Sequence, residues 1–300
     1  AGAVAVLALA LSGCVAEGGE ADGRFRVVAT TNFIADVARE IGGGDAEVTA
    51  LMGPGVDPHL YKASAGDVET LRNADLILYG GLELEGRLSD LLEELSARIP
   101  TVAVTRDIPE ERLRRPSEFE GRYDPHVWFS VPLWRIAVGT AADALAEADP
   151  AHAGAYRRRA RAYLAELDEL DSWVRTRLAE VPPRSRVLVT SHDAFGYFGE
   201  EYGFEVVGIQ GTSTQTEATT ADVERVARII ADRDLGAVFT ESAIPRQTID
   251  AVLAAARRRG AEARVGGELF ADAAGDAGTP EGTYIGMVRH NVDLIADGLR

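Results

Sequence analysis

Short apolar runs of strand length alternate with helical stretches through most of this 300-residue chain, and the alternation happens twice. The two passes lie on either side of a helical region, 132–181, that is almost free of glycine. Strands separated by helices are joined by βαβ crossovers, which give mainly parallel sheets with helices on their faces. In the first half, strand patterns at 26–32, 47–51, 76–79 and 101–104 are separated by helical patterns at 33–41, 64–73 and 86–98. The second half repeats the grammar, with strands at 186–190, 205–209, 237–240 and 263–266 and helices at 194–202, 220–232, 245–259 and 282–299.

The connecting stretches 132–147 and 150–181 are rich in Ala, Leu, Glu and Arg, all good helix formers. Pro150 stands where a first-turn proline is tolerated. At 1.5 Å per residue the second helix would be roughly 45 Å long, enough to run the length of both halves. Its apolar positions do not read as a sustained heptad, so a coiled-coil partner is not expected and a monomer is. The expected fold is therefore α/β, with two Rossmann-like lobes of parallel sheets joined by one long rigid spine helix. The N-terminal lobe with its first connecting helix takes 25–149, the spine 150–183 and the C-terminal lobe 184–300. The arginine runs 157–159 and 257–259 read as solvated helix faces.

Single cores stop growing at about 250–300 residues, which suits two lobes. A formal charge of −17 argues against a nucleic-acid partner, because polyphosphate binding needs clustered Lys and Arg. Residues 1–14 form an uncharged apolar run, too short to span a bilayer as a helix and shaped like the remnant of a signal peptide. With no basic segment ahead of it, the chain is expected to begin inside its precursor. Its end, Leu11-Ser12-Gly13-Cys14, resembles the bacterial lipobox, in which the cysteine is lipidated. Residues 15–24 then serve as a flexible tether, and Cys14 contacts membrane lipid. As the only cysteine it permits no internal disulfide.

Three of the five histidines sit at comparable strand-to-loop junctions: His59 in Val56-Asp57-Pro58-His59-Leu60, His126 in Tyr123-Asp124-Pro125-His126-Val127-Trp128, and His192 in Val189-Thr190-Ser191-His192-Asp193-Ala194-Phe195. Neutral imidazole is the commonest protein ligand for transition metals, and open α/β sheets hold ligands at the carboxyl ends of their strands. Each proline holds the preceding aspartate out of the helical region, so Asp57 and Asp124 are placed to cap local backbone or to accept from a ring N–H. His152 and His290 read as structural or surface residues. A fourth, anionic ligand is best supplied by Asp272, with Asp276 and Glu268 as rivals; Glu241 is a ligand or a residue supporting one.

These segments, together with Phe270-Ala271-Asp272-Ala273, Gly211-Thr212-Ser213-Thr214 and the run 278–287, resemble the metal-binding subunits of bacterial ABC importers, the zinc and manganese solute-binding lipoproteins of TroA type. The resemblance covers the chain from Cys14 onward. It implies that His59, His126, His192 and Asp272 hold a transported divalent metal, Mn2+ or Zn2+, between two α/β lobes. It also implies an extracytoplasmic, lipid-anchored protein serving a membrane permease and its cytoplasmic ATPase, and no enzyme. Zinc-dedicated members of the family often carry a His-rich loop between the first two ligand histidines. Residues 60–125 contain no histidine, which favours a manganese-type or broad-specificity protein, ferrous iron included. The rivals are a zinc-dependent hydrolase, for which no His-Glu-x-x-His pair is present, and a metal-stabilised surface adhesin. Two further expectations follow: protons should compete with metal near pH 6.5, and a stiff spine should confine motion to the loops around His192 and Asp272.

Overall fold

The structure, a computed structural model, describes residues 24–119 and 121–300, so the signal remnant, Cys14 and nearly all of the tether lie outside the described residues. The first half runs β1 (Phe25–Ala29), α1 (Asn32–Gly42), β2 (Ala46–Ala50), α2 (Ala65–Arg72), β3 (Leu76–Tyr79), α3 (Ser89–Ser96) and β4 (Thr101–Ala103). Its strands form one parallel sheet in the order β2-β1-β3-β4, so β1 lies inside the sheet, paired on both sides. Local chemistry sets the starts of the helices: Thr31 caps α1, and Ser64 with Asp67 forms a reciprocal capping box on α2.

The connecting helices are α4 (Val131–Ala148) and α5 (Ala153–Leu178). Ser130 caps α4 and Pro132 occupies its first turn, where a missing N–H costs nothing. Pro150 does not open α5, as the sequence suggested; residues 150–152 form a turn, in which Asp149 accepts from the ring of His152 and from the hydroxyl of Tyr156. A second reading is also corrected. The buried residues of α5, Tyr156, Ala160, Tyr163, Leu167, Leu170 and Val174, do recur at heptad spacing, but the seam packs inside the chain against α1 and α4. Two tyrosines and an alanine in that seam hid it from an apolar count. Arg159 is likewise more than a solvated residue: its guanidinium donates to the carbonyls of Ile41 and Gly42 and pairs with Asp45, closing the end of α1.

The second half runs β5 (Val187–His192), α6 (Gly196–Tyr202), β6 (Glu205–Gln210), α7 (Thr220–Asp232), β7 (Ala237–Glu241), α8 (Gln247–Arg258), β8 (Arg264–Leu269) and α9 (Tyr284–Leu299). β5 pairs with β6 and β7 with β8, both parallel, and β5 lies beside β7. One hydrophobic cluster runs from β1 and α1 through α4 and α5 into α6, β7 and α9, and includes Phe33, Trp128, Trp134, Leu167, Phe195, Phe239, Tyr284 and Ile295. Separating the halves would expose such side chains at about 1.5–3 kcal/mol each, so the two lobes are held as neighbours by a shared core as well as by α5.

Candidate metal centre

His59 lies in the irregular segment after β2, His126 just before α4, His192 on the last residue of β5, and Asp272 three residues past β8. The fold brings all four together and buries each to 1% exposure or less. Their donor atoms lie within 4.8 Å of one another. Nε2 of His126 is 3.3 Å from Nε2 of His59 and 3.3 Å from Nε2 of His192. Asp272 sets Oδ1 3.4 Å from His126 Nε2 and Oδ2 3.4 Å from His192 Nε2, with His59 Nε2 at 3.9 Å. Neither carboxylate oxygen has a well-formed hydrogen bond among the described residues.

That spacing is informative. Metal–nitrogen bonds of about 2.0–2.1 Å in a tetrahedron put ligand atoms roughly 3.3 Å apart. Imidazole nitrogens at this separation, around an unsatisfied buried carboxylate, make a poor hydrogen-bond network and a good donor set. The rivals for the fourth position fall away, because Glu268 and Asp276 are exposed. His152 and His290 stand apart, His152 on Asp149 and His290 against the carbonyl of Glu268.

Behind the donors the rings are fixed unequally. Asp124 accepts from the backbone N–H of His126 at 3.0 Å and meets its Nδ1 at 2.8 Å; Glu241 does the same for His192 at 3.0 and 2.5 Å. Such carboxylates set the tautomer so that Nε2 faces the ion. Glu241 is thus a support for His192, not a donor. Asp57 accepts from the backbone of His59, leaving its Nδ1 without a partner among the described residues.

Arg114 donates to Asp124 at 2.8 Å and to Glu200 on α6 at 2.7 Å, while Tyr197 accepts from the Arg114 backbone and donates to the carbonyl of Asp124. A Cβ on Gly196 would sit 1.2 Å from the guanidinium, so only glycine there lets the arginine reach Asp124. No sequence motif marks Arg114, because its partners are scattered over 86 positions of chain. Asn32 and Trp128 were missed for the same reason. The Asn32 side chain bonds both backbone groups of Ala274 at 2.8 and 2.9 Å, and the Trp128 indole donates to the carbonyl of Ala271 at 3.0 Å. The Asp272 loop is therefore fastened to the first half of the chain.

Charge completes the picture. Asp124, Glu241 and Asp272 meet the imidazoles and Arg114 offsets one of them, leaving a deficit that a divalent cation or two protons would fill. Burial would lower His126, but Asp124 and Asp272 outweigh it and raise the ring to about 9. Burial opposes His192 in the same way, and Glu241 and Asp272 hold it well above its ordinary value. Burial would raise Asp272, yet the His192 and His126 rings hold it well below. His59, which lacks a paired carboxylate, is pushed by burial down to about 3 and is neutral throughout the physiological range. Glu241→Gln is expected to weaken metal binding by about 10–100-fold, the usual cost of losing a ring-orienting carboxylate. Isothermal titration at constant pH checks it, and an unchanged affinity would deny Glu241 that role.

Residues 27–298 match the family described as ZnuA: Zinc-uptake complex component A periplasmic. The chain is 46% identical over 300 residues to the manganese-binding lipoprotein MntA of Bacillus subtilis, covering 99% of this chain and 98% of that one. It is 49% identical over 279 residues to the zinc-binding protein TroA of Treponema pallidum, covering 93% and 90%. The solved periplasmic zinc-binding protein TroA of Treponema pallidum superposes with a TM-score of 0.90 at 48% identity, covering 92% of this chain and 99% of its own. The buried centre therefore lies in a fold shared with metal-binding proteins throughout its length, and the chain belongs to the family of the zinc-uptake complex component A, with the two-lobed α/β fold of TroA-type proteins.

Proposed function

We propose that the chain is an extracytoplasmic solute-binding protein that captures a divalent transition metal, manganese or zinc, and delivers it to the permease of an ABC importer driven by a cytoplasmic ATPase. The observation that carries the reading is the convergence of His59, His126, His192 and Asp272, with donor atoms within 4.8 Å of one another and each residue buried to 1% exposure or less. In this reading those four are the ligands. Three imidazoles and a carboxylate suit zinc, while the two free oxygens of Asp272 can raise the coordination number in the direction manganese prefers. Relatives of similar identity named for manganese and for zinc support a site open to both.

The work of the protein is to exchange water around the ion for fixed nitrogen and oxygen donors, with Asp124 and Glu241 holding two rings in the ligand tautomer. A hydrolase would need an open coordination position and a free general base. Here Asp57, Asp124 and Glu241 are already engaged by Thr214, Arg114 and the ligand histidines. The division of the chain that fits this role is a signal remnant (1–14), a tether (15–24), an N-terminal lobe (25–149), a spine (150–183) and a C-terminal lobe (184–300), acting as a monomer.

Elemental analysis of protein purified without chelator, followed by competitive titration with Mn2+ and Zn2+, tests the function; a chain that takes up neither would end it. Among the described residues no helix is long and apolar enough to cross a membrane. Attachment is proposed to come from lipid on Cys14. Cys14→Ser in the full precursor is expected to move the protein from the membrane fraction to the soluble one with its metal binding unchanged. Retention in washed membranes after signal-peptide removal would count against the anchor.

A further inference from the structure

The ligands differ in what holds them when the ion is absent. His126 is fixed by Asp124 and, through it, by Arg114, which is itself held by Glu200 on α6; His192 is fixed by Glu241. The Asp272 loop is tied at Ala271 by Trp128 and at Ala274 by two bonds from Asn32. His59 has no such support. Its ring nitrogen Nδ1 is buried and unpartnered among the described residues, and its neighbour Leu60 is 42% exposed at the surface. Among the described residues no carboxylate or carbonyl orients its ring through Nδ1, as Asp124 and Glu241 orient the other two.

Behind the centre, the loop between β6 and α7 in the C-terminal lobe hydrogen-bonds to the His59 segment. Thr214, itself 7% exposed, donates its hydroxyl to Asp57 Oδ2 at 2.6 Å, and Gln215 donates to the carbonyl of His59 at 3.4 Å. Asp57 Oδ1 in turn accepts from the backbone N–H of His59 at 2.8 Å. Thr214 and His59 are thus joined through one carboxylate, across the gap between the lobes. The loop that carries Thr214 is a polar run, Gly211-Thr212-Ser213-Thr214-Gln215-Thr216-Glu217, without helix or strand. It can let go of Asp57 without unpacking a core.

We propose that Thr214 is a positioning residue of the centre, holding His59 in place through Asp57, and that the metal is released on the His59 side when this bond opens. The proposal rests on the reading that these four residues bind metal. It moves the expected motion away from the Asp272 loop, which is fastened to the first half, and onto the segment bearing His59.

The test uses the whole chain loaded with Mn2+ or Zn2+ and a stopped-flow chelator chase. Thr214→Val, which keeps the shape and loses the donor, is expected to speed metal dissociation by about 10-fold, within the range for lost supports of metal ligands. Thr214→Ser, which keeps the donor, should release metal at the wild-type rate. Thr214→Ala carries the same expectation as valine should that variant not fold. In the metal-free protein, residue-resolved modification by diethyl pyrocarbonate should reach His59 ahead of His126 and His192, and faster still in Thr214→Val. Wild-type release from the valine and alanine variants, or modification of His192 before His59, overturns the proposal. A wild-type chain that binds no metal would instead overturn the reading beneath it, so the two failures are distinct.

Discussion

Asp272→Asn is expected to remove tight metal binding altogether at working concentrations, while Glu268→Ala, Asp276→Ala, His152→Ala and His290→Ala leave it unchanged. A four-ligand buried site gives on the order of 12 kcal/mol, so one ligand accounts for about 3 kcal/mol, or roughly 100-fold in affinity. Asp272 should exceed that share, because its carboxylate lies within 3.9 Å of all three imidazole Nε2 atoms and has no well-formed hydrogen bond among the described residues. An amide of the same shape can still offer an oxygen. It cannot offset the charge of the ion in a site with no exposure. Competition against a chelating dye reads the change for both Mn2+ and Zn2+. If Asp272→Asn titrates like the unaltered chain, the ligand set proposed here is wrong, since the exposed rivals stand outside the centre.

The sequence carried much of this because the relevant signals were local. A strand followed by a helix is written in consecutive residues, and every expected strand and helix appears within a few positions of its place. Asp-Pro-His sets the local backbone within three residues, so His59 and His126 stood out, and His192 ends its strand. What could not be read was held by contacts between distant segments. Asn32 grips Ala274 across 242 positions and Trp128 reaches Ala271 across 143. Arg114 acts only because Gly196 leaves it room. The heptad seam of α5 was hidden for another reason, since tyrosine and alanine fill positions that a hydrophobicity count reads as weak. The sequence also treated the three histidines as equals, which they are not.

That inequality moves the pH dependence of metal-induced stabilisation. Saturation at about 1,000 times the dissociation constant should add roughly 4 kcal/mol to folding, or about 8 °C in melting temperature at about 2 °C per kcal/mol for a chain of this size. Three ordinary imidazoles would place proton competition near 6.5. In this centre His59 is depressed to about 3 and does not compete, whereas His126 is raised to about 9 and His192 well above its ordinary value. A group raised on folding stabilises the metal-free protein fully below its unfolded pKa of about 6.5, and that contribution is lost as pH climbs through the folded value. The metal-free protein should therefore lose stability between about pH 6.5 and 9 as His126 gives up the proton that balances Asp124 and Asp272, with a further loss as the raised His192 gives up its own. The metal-bound protein carries neutral rings and has no such loss, so the increment from metal should keep growing across this window instead of levelling off above pH 7. Each ion bound near neutral pH should release up to two protons, one from each raised ring. Melting curves with and without Zn2+ from pH 6 to 9, with calorimetry in buffers of different ionisation enthalpy, measure both quantities. An increment already flat by pH 7.5, with no proton release, would show that His126 and His192 are neutral in the empty site and that the carboxylates behind them orient the rings without charging them.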